Sequence, residues 1–135
     1  MPTRTIRIGH SLDDLQPIAE FVETFCADEG VPDGAAFHLA LVIEEAASNV
    51  IRHGFAEGGG DGMLSMERDG DRVTVEIVDD GPPFDPLTIA PPDVDSPLME
   101  REIGGLGVEM MRRMTDRQSY RRDGGRNRLT LVKQI

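Results

Sequence analysis

Leu39-Ala40-Leu41-Val42-Ile43-Glu44-Glu45-Ala46-Ala47-Ser48-Asn49-Val50-Ile51-Arg52-His53-Gly54-Phe55 is the stretch around which the chain is organised. It reads as a long helix. At about 100° per residue, Glu45, Asn49 and His53 fall about 40° apart, on successive turns of one face. Glu44, Ser48, Arg52 and His38 fill the rest of that arc, while Ala40, Ile43, Ala46, Ala47, Val50 and Ile51 lie opposite. One face can therefore pack on a sheet while the other presents a carboxylate, an amide and an imidazole in a row. An ordinary amphipathic helix with a solvated face would also show two sides. Against it, Leu41 and Val42 interrupt the polar arc, which is then partly covered. The polar residues are also Glu, Asn and His, not the Lys and Glu pairs that support a solvated face. A covered glutamate one turn from an asparagine suggests a metal or a reacting group nearby. The rest of the chain decides the matter by whether it supplies a phosphate site.

The 135 residues suffice for one domain with a real core and not for two. With 39% hydrophobic and 29% charged residues, the chain is globular in composition and not disordered. By inspection no apolar run approaches the roughly 20 residues that span a bilayer. The opening Met1 to His10 lacks the apolar core of a signal peptide, so a cytoplasmic, non-membrane protein is expected. The net charge of -11 argues against direct nucleic-acid binding, which needs a basic face. Lys133 is the single lysine, which excludes a phosphate loop of the GxxxxGK[ST] type and a Schiff-base mechanism. Cys26 is the single cysteine, which excludes an internal disulfide and a multi-cysteine metal site. It shares an apolar helical face with Val22 and Phe25, so it reads as a buried structural thiol.

Outward from the organising helix, Thr3 to Ile8 alternates as an edge strand does, and Ser11 is placed to cap a helix over Leu12 to Glu29 that Gly30 ends. Downstream, Gly58 to Gly62 form a turn. Met63 to Arg68 and Arg72 to Val78 are two strands joined by the hairpin signal Asp69-Gly70-Asp71. Pro82 to Ile103 holds six of the nine prolines, a composition that fits either a functional lid or a disordered insertion. Gly104-Gly105-Leu106-Gly107 precedes a helix over Val108 to Met114. Strands over Arg117 to Arg122 and Asn127 to Gln134 close the chain. This order predicts an α+β fold, with a helical layer on one face of a mainly antiparallel sheet.

Three pieces carry chemistry. An amide oxygen such as that of Asn49 suits a hard cation; Mg²⁺ takes few protein ligands and several phosphate oxygens. Glu45, one turn away, could accept a proton from a hydroxyl or a water. In Asp79-Asp80-Gly81-Pro82-Pro83-Phe84-Asp85, a carboxylate at a strand end can accept from an exocyclic amine such as that of adenine. Gly81 there lets the backbone approach a flat ring. Gly104 to Gly107 free backbone N–H groups at a helix start, where anions are favoured. Each piece alone has a bland counterpart: a Pro-rich turn, or a glycine hinge.

In order and spacing, these pieces resemble the N, G1 and G2 boxes of the GHKL ATPase superfamily, which has the Bergerat ATP-binding fold. The chain is most similar to the anti-sigma-factor serine/threonine kinases. Their E-A-x-x-N-x-x-x-H is matched by Glu45, Ala46, Asn49 and His53, and their D-x-G-x-x-F-D by Asp79, Gly81, Phe84 and Asp85. Their G-G-L-G is matched by Gly104, Gly105, Leu106 and Gly107, and the closing Asn127 to Leu131 resembles their last strand. Pro83 stands where the superfamily often has a second glycine. Glu44 adjoins Glu45, and motif spacing favours Glu45.

The resemblance implies a single ATP-binding kinase domain over residues 1–135, a two-layer α/β sandwich with an ATP lid over 82–103. It implies ATP and Mg²⁺ as cofactors, with Asn49 as the metal ligand and Glu45 as the catalytic base. His53, Asp79, Gly81, Phe84, Gly104, Gly105, Leu106, Gly107 and Thr130 would be further nucleotide contacts. It implies an anti-anti-sigma STAS-domain protein as phosphoacceptor, a sigma factor or similar regulator as a sequestered partner, and a homodimer. Two other readings remain open: a partner-switch module that binds ATP without turnover, and a detached ATP-binding domain of a sensor histidine kinase. The second lacks a preceding helical segment with a phosphoacceptor histidine.

Overall fold

The computed structural model describes residues 3–54, 61–88 and 103–135. Within these, the chain runs β1 (Arg4–Ile8), α1 (Leu15–Asp28), α2 (Asp33–Asn49), β2 (Gly62–Asp69), β3 (Arg72–Asp79), α3 (Ile103–Met114), β4 (Arg117–Asp123) and β5 (Arg126–Gln134). The strands form one antiparallel sheet in the order β1-β2-β3-β5-β4, with β1 at an edge as its alternation predicts. The Gly58 to Gly60 turn and the lid from residue 89 to residue 102 lie outside the described residues.

Period-two patterning decides which face of the sheet is covered. Leu64 and Met66 of β2, Val73, Val75 and Ile77 of β3, and Leu129 and Leu131 of β5 are all buried on the helical side. Ile18, Val22 and Phe25 of α1 and Leu39, Val42, Ile43, Ala46 and Ala47 of α2 meet them there. The alternate residues, among them Ser65, Thr74, Glu76, Arg128 and Thr130, are only partly buried on the other face. The two-layer α+β sandwich is thus present, and α2 packs against both α1 and α3. By length and a mean hydropathy of 1.2, the helix Asp33–Arg52 is apolar enough to cross a membrane, which differs from the expectation that no run approaches spanning length. Half of that window is buried inside the protein, as expected of a core helix.

Three local outcomes differ from the sequence expectation. Leu12–Asp14 form a separate 3-10 turn ahead of α1. Ser11 accepts from the Asp13 N–H, and Asp14 reaches back to the Ser11 N–H at 3.1 Å, so a capping box fastens that turn. Next, α2 changes pitch after Asn49: Val50–Gly54 form a π-helical turn. Ser48 Oγ donates to the Glu44 carbonyl at 2.7 Å, a back-bond that loosens the helical ladder at this end. The even 40° spacing therefore holds from Glu45 to Asn49 and not onward to His53. Finally, α3 begins at Ile103 and takes the glycine run into its first turns, where the sequence placed that run before the helix.

Candidate functional site

Asp79 ends β3 on the buried side because it shares parity with Val75 and Ile77. Its register partner is Asn127 on β5, which shares parity with Leu129 and Leu131. Two polar side chains therefore face the helical layer at one end of the sheet, beneath Asn49 at the end of α2. Asp79 and Asn49 are each 5% exposed and Asn127 6%. Together with Ala46, Ile77, Phe84, Pro86, Tyr120 and Leu129 they enclose a cavity of about 30 Å³.

That volume is one water's share of the liquid. A planar base enters only if part of the wall moves outward. Two sides of the wall are sheet and helix. The third is the segment carrying Phe84 and the 3-10 turn Pro86–Thr88, which runs into the proline-rich stretch. Leu87 packs its side chain against the core, and two hydrogen bonds tie the segment further: Arg112 donates to the Leu87 carbonyl at 2.6 Å and Arg122 to the Gly81 carbonyl at 2.7 Å. Buried Gly81 donates its N–H to Asp79 Oδ1 at 3.0 Å, so the turn folds back on the carboxylate.

Glu45 points elsewhere, toward α3. A Cβ on Gly107 would lie 2.1 Å from Glu45 Oε1, so the carboxylate rests on the bare glycine backbone. Glu44 is exposed, whereas Glu45 Oε1 is buried and has no hydrogen-bond partner among the described residues. Asn49 Nδ2 is likewise buried without a partner among them. A buried acceptor and a buried donor left unpaired each carry a desolvation penalty of about 1–3 kcal/mol until a ligand completes them. Among the described residues, the carboxylate oxygen and the amide nitrogen are therefore uncommitted and able to meet a ligand. Among the described residues no group of three or more His, Cys, Asp or Glu is arranged to hold a metal. One amide oxygen with phosphate oxygens and waters is the donor set that suits Mg²⁺, so Asn49 could serve through Oδ1, while its unpaired Nδ2 is a donor suited to a phosphate oxygen.

The sequence-derived candidates thus divide. Asn49, Asp79 and Phe84 share the cavity, Gly81 closes its turn, and Glu45 meets Gly107 at the α2–α3 seam. The backbone of Gly104, Gly105 and Leu106 lies in the first turn of α3, where N–H groups lack intrahelical acceptors. The side chains of Leu106 and His53 lie outside the described residues, as does Arg101. Thr130 is not brought to the cavity. It pairs with Glu76 and Ser119 on the opposite face and lines a separate hollow with Arg121 and Arg128. Asn127 and Tyr120 stand at the cavity instead, and neither was among the sequence-derived candidates.

Residues 9–133 match the family model described as the histidine kinase-like ATPase domain. The chain is 32% identical over 97 residues to the serine/threonine-protein kinase BtrW of Bordetella bronchiseptica, covering 71% of this chain and 68% of that protein. It is 26% identical over 123 residues to the serine-protein kinase RsbW of Halalkalibacterium halodurans, covering 88% of this chain and 62% of that protein. The solved structure of the RsbU and RsbW domains of Rv1364c from Mycobacterium tuberculosis aligns with a TM-score of 0.71 at 15% identity. That alignment covers 99% of this chain and 32% of the solved one, so the likeness there is one of fold.

Proposed function

We propose, on the footing that this chain belongs to the histidine kinase-like ATPase family, that it is an ATP-dependent serine/threonine protein kinase of partner-switching type. Its phosphoacceptor is a serine or threonine on an anti-anti-sigma STAS-domain protein, and it sequesters a sigma factor or similar regulator in the cytoplasm. The observation that supports this reading most is that, among the described residues, Glu45 Oε1 and Asn49 Nδ2 are buried without partners, on one helix beside a cavity floored by Asp79; the amide nitrogen can donate to a phosphate oxygen and leaves Oδ1 for a cation. The kinase names of the two relatives point the same way.

The proposed roles are these. Asp79 accepts from the base amine. The N–H groups at the start of α3 face the phosphates, where the helix dipole favours negative charge. Asn49 would hold the metal through Oδ1, and a metal there would neutralise charge on the transferring phosphoryl group. Glu45 Oε1 takes the proton of the acceptor hydroxyl while that oxygen bonds to the γ-phosphorus and ADP leaves with the electron pair of the broken P–O bond. Its burial against Gly107 keeps the carboxylate in one place, which is what positioning catalysis requires.

The test is transfer of labelled γ-phosphate from ATP to a candidate STAS-domain protein, with and without Mg²⁺. Transfer that needs the metal and is lost in Asn49→Ala is the expected result. Tight ATP binding with no transfer to any such protein would leave a binding module and overturn the kinase reading.

A further inference from the structure

We infer that Asn127 sets the base specificity of the pocket, as a positioning residue that acts through Asp79. The proposal rests on the nucleotide-binding reading above and adds to it the device by which an amine-bearing base is chosen over a keto-bearing one.

The orientation of the Asn127 amide is fixed by partners that have no choice of role. The Phe84 N–H is a donor only, and it meets Oδ1 at 3.1 Å. The Pro82 carbonyl is an acceptor only, and it meets Nδ2 at 2.8 Å. Nδ2 must therefore be the atom that faces Asp79, and it donates to Oδ1 of that carboxylate at 3.0 Å. Tyr120 completes the set through its hydroxyl, which donates to Asn127 Oδ1. All four hydrogen-bonding positions of the amide are then in use, inside a side chain that is 6% exposed.

The consequence falls on Asp79. Its Oδ1 takes two donors, the Gly81 N–H and Asn127 Nδ2. Among the described residues Oδ2 takes no such donor, and Asp79 lines the cavity, so the carboxylate can meet a ligand there as an acceptor. An acceptor there pairs with the exocyclic amine of adenine and meets the keto oxygen of guanine with lone pair against lone pair. A site built around one hydrogen-bonding pattern rejects the wrong partner because its buried group is left unpaired. The same amide also ties the loop at Pro82 and Phe84 to the sheet, so the choice of base and the wall that must move for entry share one residue.

The experiment is calorimetric binding of Mg-ATP and Mg-GTP to the full chain. The wild type is expected to favour ATP. Asn127→Asp replaces the donor by a second carboxylate, whose repulsion turns the Asp79 carboxylate away from the position that presents Oδ2 to the base. The ratio of ATP to GTP affinity should fall by roughly tenfold or more. Asn127→Ser keeps a hydroxyl donor for Asp79 but drops the ties to Pro82 and Phe84, so both affinities should fall while the ratio stays near that of the wild type. If Asn127→Asp fails to melt cooperatively, Asn127→Ala removes the same donor and should lower the ratio in the same direction. Equal loss for both nucleotides in the Asp and Ala variants means a merely structural residue and overturns the inference alone. A wild type that binds neither nucleotide overturns the nucleotide reading and the inference with it.

Discussion

The carboxylate of Glu45 on α2 rests directly on the α-carbon of Gly107 on α3: a methyl group added there would sit 2.1 Å from Oε1 and 2.5 Å from Cδ. Gly107→Ala should therefore displace the side chain proposed as the base. Overpacking at such a contact costs about 1–3 kcal/mol, and a misplacement on the scale of an ångström lowers rate by about 10²-fold. Thermal melts and single-turnover phosphorylation check both. Adding Glu45→Ala to Gly107→Ala removes the clash, so stability should recover while transfer stays absent. A double variant no more stable than Gly107→Ala would show that the contact is not the cause.

Tyr120 is the one tyrosine of the chain, and the chain has no tryptophan. It lines the cavity and donates to Asn127, so its emission reports directly on the base pocket. Titration with Mg-ATP should change tyrosine fluorescence with the same midpoint that calorimetry gives. Tyr120→Phe should abolish the signal and weaken binding by about 0.5–1.5 kcal/mol, the net worth of one hydrogen bond. Binding seen by calorimetry with no change in emission would place the nucleotide elsewhere.

The residues that the sequence made legible are those whose role follows from local period. Alternation revealed the strands, and helical spacing put Glu45 and Asn49 on one face. The meeting of Asp79 with Asn127 was not legible, because it depends on the register between two strands far apart in the chain. A signal was nevertheless present. Asn127 has the parity of Leu129 and Leu131, so a polar side chain was aimed into an apolar layer. Thr130 has the parity of Arg128 and Val132, which places it on the other face. Parity alone would have exchanged the two. The π-helical turn after Asn49 was hidden for a different reason: neither propensity nor hydrophobic period registers one extra residue per turn, and only the back-bond of Ser48 hints at it.

Cys26 should set a limit on stability at high pH. Burial pushes its thiol up to about 11 from the ordinary 9.0. The folded state thus keeps the proton where the unfolded chain has lost it. Its contribution is complete below pH 9 and declines as pH rises from there toward 11. Denaturant midpoints should fall across that window, and Cys26→Ala, though less stable at neutral pH through its lost packing, should show a shallower decline. Iodoacetamide should label the native thiol slowly at pH 8 and rapidly in urea. Fast native labelling would contradict the burial.

The last prediction separates the two adjacent glutamates. Glu44 is exposed on α2, while Glu45 turns toward α3 with a buried, unpartnered Oε1. A base acts on the proton in the transition state and contributes roughly 10²–10⁴-fold to rate. It contributes little to ground-state nucleotide affinity, because it faces the attacking hydroxyl and not the base pocket at Asp79. Glu45→Gln keeps shape and volume but cannot take a proton, so ATP affinity should be near that of the wild type while transfer falls by those orders of magnitude. Glu44→Gln should leave both within about twofold, as a surface substitution within roughly 0.5 kcal/mol would. Asn49→Ala should lose metal-dependent ATP binding and transfer together. Single-turnover phosphorylation of the three variants beside calorimetry gives six numbers, and the pattern matters more than any one of them. If Glu44→Gln is the inactive variant, the base lies on the solvent side of α2 and the contact with Gly107 is only structural. If Glu45→Gln loses binding and transfer equally, the carboxylate serves the metal shell and the proton leaves by another route.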